Sequence, residues 1–307
     1  MASVCFGVDI GGTAIKMGCF DDAGKLISKW EIPTRKENNG EQILPDVVEA
    51  IYGKLDELSL DKNHVIGVGI GVPGPVFADG TVNRCVNLGW DVFNVADRVK
   101  ELMNMPDLSV KVANDANVAA LGEMYKGSGE GYKNIVMVTL GTGVGGGIIL
   151  DGKILAGTSG AAGEIGHMPV EPTEEVSCSC GKKGCLEQYA SATGIVNMAK
   201  IQMGDRAKNI SAKDVIDLAK AGEEDALAVI ERLGIYLGRA LASVACVVNP
   251  QAFVIGGGVS KAGHFLIDYI EKNFVTNVFR PCKDVKFVLA SLGNDAGIYG
   301  AAALILI

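Results

Sequence analysis

Three cysteines crowd into the segment Cys178-Ser179-Cys180-Gly181-Lys182-Lys183-Gly184-Cys185, and His167 stands eleven residues upstream. Three thiolates and one imidazole make a full tetrahedral donor set for Zn2+. Four protein ligands leave no open coordination position, so such a metal braces a loop and takes no part in the chemistry. The other five cysteines (Cys5, Cys19, Cys85, Cys246, Cys282) are scattered and sit mostly among apolar residues. That scatter does not read as a disulfide framework.

A second chemically suggestive pair is Asn114-Asp115. It follows the strand-like Val110 to Ala113 and precedes the helical run Ala116-Asn117-Val118-Ala119-Ala120-Leu121. The carboxyl end of a strand is where open α/β sheets bind ligands. A carboxylate there, kept ionised by the start of the helix, can accept a proton from a hydroxyl. The same Asp115 could instead cap the helix.

Two glycine-rich turns complete the set. In Asp9-Ile10-Gly11-Gly12-Thr13 an acidic residue ends a strand, and the glycines let backbone N–H groups approach phosphate oxygens with no Cβ in the way. Asp9 would then face a magnesium shell. Leu140-Gly141-Thr142-Gly143-Val144-Gly145-Gly146-Gly147 offers a second amide-lined turn. Neither segment has the Gly-x4-Gly-Lys-Ser/Thr spacing of a Walker loop, nor a Gly-x-Gly-x-x-Gly turn opening a helix. A third glycine run, Gly256-Gly257-Gly258, follows a strand and reads either as a close-approach site for an adenosine or as a plain strand-to-helix turn.

The elements that must position these residues repeat. Val4 to Ile10, Ile15 to Phe20 and Leu26 to Ile32 read as a β-meander, and the pattern returns at Asn134 to Leu140, Gly147 to Leu150 and a short segment from Ile154. Between the copies lie a helix with Ile43, Val47, Ile51 and Leu55 in step, a strand from Val65 to Gly71, and a helix from Val95 to Leu102. Further on come a helix opened by Ser211 and Asp214, a long helix from Glu223 to Val248, and a strand from Ala252 to Ile255. After Gly263 the reading gives a helix, then a strand from Val285 to Leu289 and an apolar helix from Asp295. The expected division is a small α/β lobe over 1–114, a larger lobe with the zinc loop over 115–290, and a C-terminal helix over 291–307 packing back toward the N-terminal lobe.

The chain has 307 residues, 48% of them hydrophobic and 21% charged, with 41 glycines, as expected of a globular protein rich in tight turns. A net charge of -8 with no cluster of Lys and Arg argues against a nucleic-acid surface. Met1 to Ile10 runs straight into a strand with no basic region or cleavable apolar core, so the expected location is the cytoplasm. The uncharged stretch Ala240 to Ser260 is interrupted by Asn249-Pro250-Gln251 and by the glycines, and reads as core, not as a membrane span.

Together, the segments from Asp9 to Lys16 (DIGGTAIK), Asn114 to Asn117 (NDAN) and Leu140 to Gly147 (LGTGVGGG) resemble the ROK family of sugar kinases and repressors. The resemblance runs from Val4 to about Ala302 and takes in GVPGPV (Gly71 to Val76), EIGH (Glu164 to His167) and LGNDAGIYGAA (Leu292 to Ala302). It implies an actin-like ATPase (ribonuclease H-like) α/β fold, with two lobes, a duplicated β-meander core and a cleft between them.

The resemblance also implies roles. MgATP would be held by Asp9, Gly11, Gly12, Thr13, Lys16, Gly141, Thr142, Gly143, Gly257 and Gly258, and a structural Zn2+ by His167, Cys178, Cys180 and Cys185. Asn114, Glu164, His167 and Glu187 would bind the sugar, with Asp115 as catalytic base. The segments VNLGW (Val86 to Trp90), NDANVAALGE (Asn114 to Glu123) and SATGIV (Ser191 to Val196) look like the bacterial glucokinase branch, which places glucose and ATP first as partners. N-acetylmannosamine, fructose, mannose or allose are the alternative acceptors, and a sugar-sensing protein without catalysis is the alternative class. Family repressors carry a helix-turn-helix ahead of the first strand, and only three residues precede Val4, so DNA binding is not expected. Apolar helices and the family suggest a homodimer or homotetramer.

Overall fold

The structure is a computed structural model, describing residues 3–307. In the first half of the chain, β1 (Val4–Ile10), β2 (Ala14–Asp21) and β3 (Leu26–Pro33) form the expected meander. Next come a single left-handed turn, α1 (Glu37–Gly40), in which Asn38, Asn39 and Gly40 have positive φ, then α2 (Ile43–Glu57), β4 (Val65–Val72), a small hairpin of β5 (Thr81–Val82) and β6 (Phe93–Asn94), and α3 (Val95–Leu102). The half ends with β7 (Ser109–Asn114) and α4 (Asp115–Lys126). Central β1 is buried along almost its whole length, whereas edge strand β3 alternates between half-buried and exposed residues, as a strand with one solvated face must.

The second half opens with β8 (Ile135–Leu140), β9 (Val144–Leu150) and β10 (Lys153–Ile154), followed by α5 (Glu187–Ala190), α6 (Ala192–Met203), α7 (Ala212–Lys220) and α8 (Glu224–Val248). Then come β11 (Ala252–Gly256), α9 (His264–Asn277), β12 (Lys286–Leu289) and α10 (Ala296–Leu306). Ser211 and Asp214 form a reciprocal capping box on α7. The uncharged stretch from Ala240 resolves into the end of α8, a left-handed turn at Asn249, and β11. Among the described residues no helix is long and apolar enough to cross a membrane.

The two sheets share one strand order, β3-β2-β1-β4-β7 in the first and β10-β9-β8-β11-β12 in the second. In the first, an antiparallel meander is extended by two parallel strands; in the second, β9 and β10 pair antiparallel, and β8, β11 and β12 pair in parallel. The duplicated pattern in the sequence is thus a duplicated topology, the arrangement expected of the actin-like ATPase fold.

The chain divides into two compact units. The first runs to Gly131 and takes in Gly147–Gly163 and Leu292–Ile307; the second comprises Tyr132–Gly146 and Glu164–Ser291. The boundary expected at 114/115 falls inside the first unit, because α4 packs along α10 rather than leaving with the second half of the chain. Small residues permit that packing. A Cβ on Gly300 would collide with the Val118 carbonyl and one on Gly122 with that of Ala296, while Gly7 and Gly69 let β1 and β4 approach the backbone of α10. Seven of the eleven residues of α10 are therefore buried and the other four half-buried, which answers the need of an apolar terminal helix for a partner surface.

Candidate active site

In the first unit, the turn after β1 and the start of α4 stand together. Asp9 pairs across the strands with Lys16. Its carboxylate passes between Gly71 and Gly297, where a side chain at Gly297 would strike it. Burial, the largest cause, pushes the Asp9 carboxyl up to about 6; Lys16 opposes the shift and Asp115 adds to it. That last effect shows that Asp9 and Asp115 feel each other's charge. Lys16 donates from Nζ to the Asn294 carbonyl at 3.2 Å. Gly11 closes the turn by donating to the Ala14 carbonyl, and Thr34 holds it from outside through the Gly11 and Thr13 carbonyls. Gly12 faces open space and Thr13 is exposed, so this is the part of the turn a ligand can reach.

At the junction of β7 and α4, the helix cap is Asn114, not Asp115. Asn114 has extended backbone angles, and its Oδ1 accepts from Ala116 N at 2.9 Å and Asn117 N at 3.2 Å. Its Nδ2 donates to the Gly74 carbonyl at 3.1 Å, tying the cap to the GVPGPV loop and leaving one amide hydrogen to offer a ligand. Asp115 opens α4 as its first helical residue, half-buried, with Oδ1 accepting from Ala116 N at 2.8 Å. The cap function that competed for Asp115 in the sequence is thus supplied by its neighbour.

The second unit gathers its residues around the turn from Gly141 to Val144. Gly141 N donates to the Gly143 carbonyl at 3.0 Å. Gly166 of the EIGH segment lies against the Val144 carbonyl so closely that a Cβ would overlap it. This seats Glu164, which is exposed, and His167, which is half-buried, beside the turn. Glu187, the first residue of α5, accepts from Val144 N at 3.1 Å with Oε2 and from Ser179 Oγ at 3.2 Å with Oε1.

His167, Cys178, Cys180 and Cys185 converge, with all four ligand atoms within 4.8 Å of one another. Cys180 Sγ lies 3.6 Å from Cys185 Sγ, and Cys178 Sγ lies 3.9 Å from His167 Nδ1. Tetrahedral Zn2+ with thiolates at about 2.3 Å separates its sulfurs by about 3.8 Å, so the donor set fits the metal. Burial and the neighbouring cysteines push the Cys185 thiol up, whereas the backbone N–H of Lys182 holds Cys180 low.

The third glycine run separates into two roles. Gly257 has φ +86° and packs on the Leu140 backbone, where a Cβ would clash, so it makes the turn after β11; Gly258 faces open space. Three contacts escaped the reading of the sequence. Thr193 Oγ1 donates to the Thr142 carbonyl at 2.9 Å, Ala192 N donates to the Gly141 carbonyl at 2.8 Å, and Ser179 meets Glu187. The only hint of them in the sequence was the SATGIV segment, where Ser191 proves to cap α6.

The ROK family model matches residues 5–306. A glucokinase of Halalkalibacterium halodurans is 44% identical over 312 residues, covering 97% of this chain and 94% of the relative. Among solved structures, a ROK hexokinase of Thermus thermophilus superposes with a TM-score of 0.83 at 30% identity, covering 98% of this chain and 97% of that one. A ROK glucokinase of Streptomyces griseus in complex with glucose and AMPPNP superposes with a TM-score of 0.73 at 34% identity, covering 98% and 99%. With its family motifs spread over nearly the whole length and its fold shared with these enzymes, the chain belongs to the ROK family.

Proposed function

We propose that the protein is an ATP-dependent glucokinase, transferring the γ-phosphoryl group of MgATP to the 6-hydroxyl of glucose. The observation that carries the chemistry is Asp115 at the first position of α4 with its capping duty taken over by Asn114, so that a half-buried carboxylate stands at a strand end. Glucose as acceptor rests on the 44% identity to an enzyme named glucokinase.

In this reading Asp115 takes the proton of the attacking hydroxyl. Phosphoryl transfer asks the protein mainly for positioning and charge neutralisation, so one base suffices. Asn114 offers its remaining amide hydrogen to the sugar, and Glu164, His167 and Glu187 offer acceptors and an imidazole. Polar groups of this kind select strongly among hexoses, since a sugar lacking the matching hydroxyl leaves them unpaired. The amide-lined turns at Gly11 to Thr13 and Gly141 to Gly143, with Lys16, hold the nucleotide phosphates, Asp9 meets the magnesium shell, and Gly258 admits the adenosine. Zn2+ on His167, Cys178, Cys180 and Cys185 braces the loop that carries His167 and Glu187. We also assign the protein to the cytoplasm, as a homodimer or homotetramer for which Val247, Val275 and Phe279, exposed near the ends of α8 and α9, supply apolar surface.

The test is ADP formation from MgATP with no sugar, glucose, N-acetylmannosamine, mannose or fructose. Glucose is expected to stimulate most. A larger response to another sugar would replace the acceptor while keeping the residues in their roles, and no response to any sugar would overturn the kinase assignment.

The raised carboxyl of Asp9 predicts a pH dependence. Only ionised Asp9 attracts magnesium, and protonation sets in as pH falls through about 6. KM for MgATP should therefore rise toward tenfold per pH unit below about 6 and level off above about 7. The nucleotide titrates in this range as well, so the comparison is with Asp9→Asn, whose weaker binding should show a shallower slope. Equal slopes would remove Asp9 from the magnesium shell.

A further inference from the structure

The contacts around the second glycine turn form a clasp. Three successive features of one short segment each take hold of a different residue of the turn: Glu187 Oε2 accepts from Val144 N, Ala192 N donates to the Gly141 carbonyl, and Thr193 Oγ1 donates to the Thr142 carbonyl. Gly143 completes the fit, because a Cβ on it would overlap the Glu187 carboxylate. At its other end the segment joins the Cys3His cluster. Glu187 Oε1 accepts from Ser179 Oγ and lies 3.8 Å from Cys178 Sγ, while Gln188 accepts from Cys185 N at 3.0 Å and donates to the Val176 carbonyl at 2.9 Å.

We infer that Glu187 and Thr193 are positioning residues that lock the 141–144 turn to the metal-binding loop, so that the order of the metal site is transmitted to the nucleotide phosphates. The nucleotide part of this inference rests on the kinase assignment above. The effect is entropic. An amide-lined turn binds phosphate well only if its N–H groups are held in place beforehand, and a free glycine-rich loop would lose that order on every opening. Glu187 bridges the two parts with a single carboxylate. A carboxylate has about four lone-pair sites, so the clasp leaves Glu187 able to accept a sugar hydroxyl as well.

The two roles separate experimentally. Wild type, Glu187→Ala, Glu187→Gln and Thr193→Val are compared by calorimetric titration with MgAMPPNP, by KM for ATP and for glucose, by zinc content, and by hydrogen exchange of the Val144 amide. Glu187→Ala is expected to weaken MgAMPPNP about tenfold or more and to speed Val144 exchange. Glu187→Gln keeps an acceptor and should retain most of the protection. Thr193→Val, which removes the hydrogen bond to the Thr142 carbonyl, should raise KM for ATP about threefold with zinc content and KM for glucose unchanged. If MgAMPPNP affinity or Val144 exchange is unaltered in Glu187→Ala, or if glucose affinity alone falls, the clasp is overturned. A wild-type protein that binds no MgAMPPNP would sink the kinase assignment instead, and the exchange comparison would still decide whether Glu187 holds the turn.

Discussion

Asp115→Asn is expected to lower kcat about 10³-fold while changing KM for glucose less than about tenfold. The substitution isolates the proton-accepting function. Asparagine keeps an Oδ1 that can accept from Ala116 N, and the cap on α4 belongs to Asn114, so the start of the helix should survive. What disappears is a carboxylate able to take the hydroxyl proton as the phosphoryl group arrives, an effect confined to the transition state and worth about 4 kcal/mol for a 10³-fold loss. A second consequence has the opposite sign. Asp115 helps to raise the Asp9 carboxyl, so removing its charge makes Asp9 easier to ionise, and affinity for MgATP should hold or improve slightly. Steady-state kinetics with calorimetric titration of glucose distinguishes these effects. Turnover within a few-fold of wild type would exclude Asp115 as the base.

Cys180→Ser is expected to abolish stoichiometric zinc and to weaken glucose binding by about tenfold or more. Cys180 is the informative ligand to remove because it is exposed, whereas Cys178 and Cys185 are buried and their replacement would also disturb packing. Loss of one of four ligands leaves an incomplete tetrahedral site, and the loop from His167 to Cys185 then depends on its hydrogen bonds alone, such as those of Tyr236 to Glu171, Tyr189 to Glu174 and Gln188 to the Val176 carbonyl. The sugar side is expected to suffer because His167 belongs to the same cluster and Glu187 accepts from Ser179 and Cys178. Elemental analysis of the purified variant decides the ligand assignment: full occupancy would refute it. Normal glucose affinity in a zinc-free variant would show that the metal braces something other than the sugar-binding residues.

Much of the fold was legible because it is written in local patterns. Val4 to Ile10 reads as a strand from its apolar run ahead of a glycine turn, and β1 covers that same range. The helix expected from Ile43, Val47, Ile51 and Leu55 buries those four residues in α2. Ser211 and Asp214 announced their capping box by spacing alone. The repeated meander pattern foretold two sheets of one topology. The convergence of His167 with the three cysteines was legible for a similar reason, since Cys178, Cys180 and Cys185 lie within one turn-rich segment and steric reach leaves them little choice but to meet.

Other decisions belonged to the tertiary structure. Asn114 and Asp115 are both good capping residues, and which of them caps depends on the strand direction of β7 and on the Gly74 carbonyl, forty positions away, that receives the Asn114 amide. Gly257 and Gly258 look alike until Leu140 packs on the first and leaves the second open. Helix α4 follows the strands of the first unit rather than the second half of the chain because the glycines of α10 give it a seat. Glu187 shows the limit most clearly: a carboxylate after a cysteine loop has no evident target, yet the fold brings it onto Val144 N, 43 residues earlier. Periodicity, capping and turn chemistry act over a few residues and are set by the sequence by itself. The partner of a polar side chain is set by which distant backbone groups the packed sheets leave within hydrogen-bonding reach, and that only the assembled structure determines.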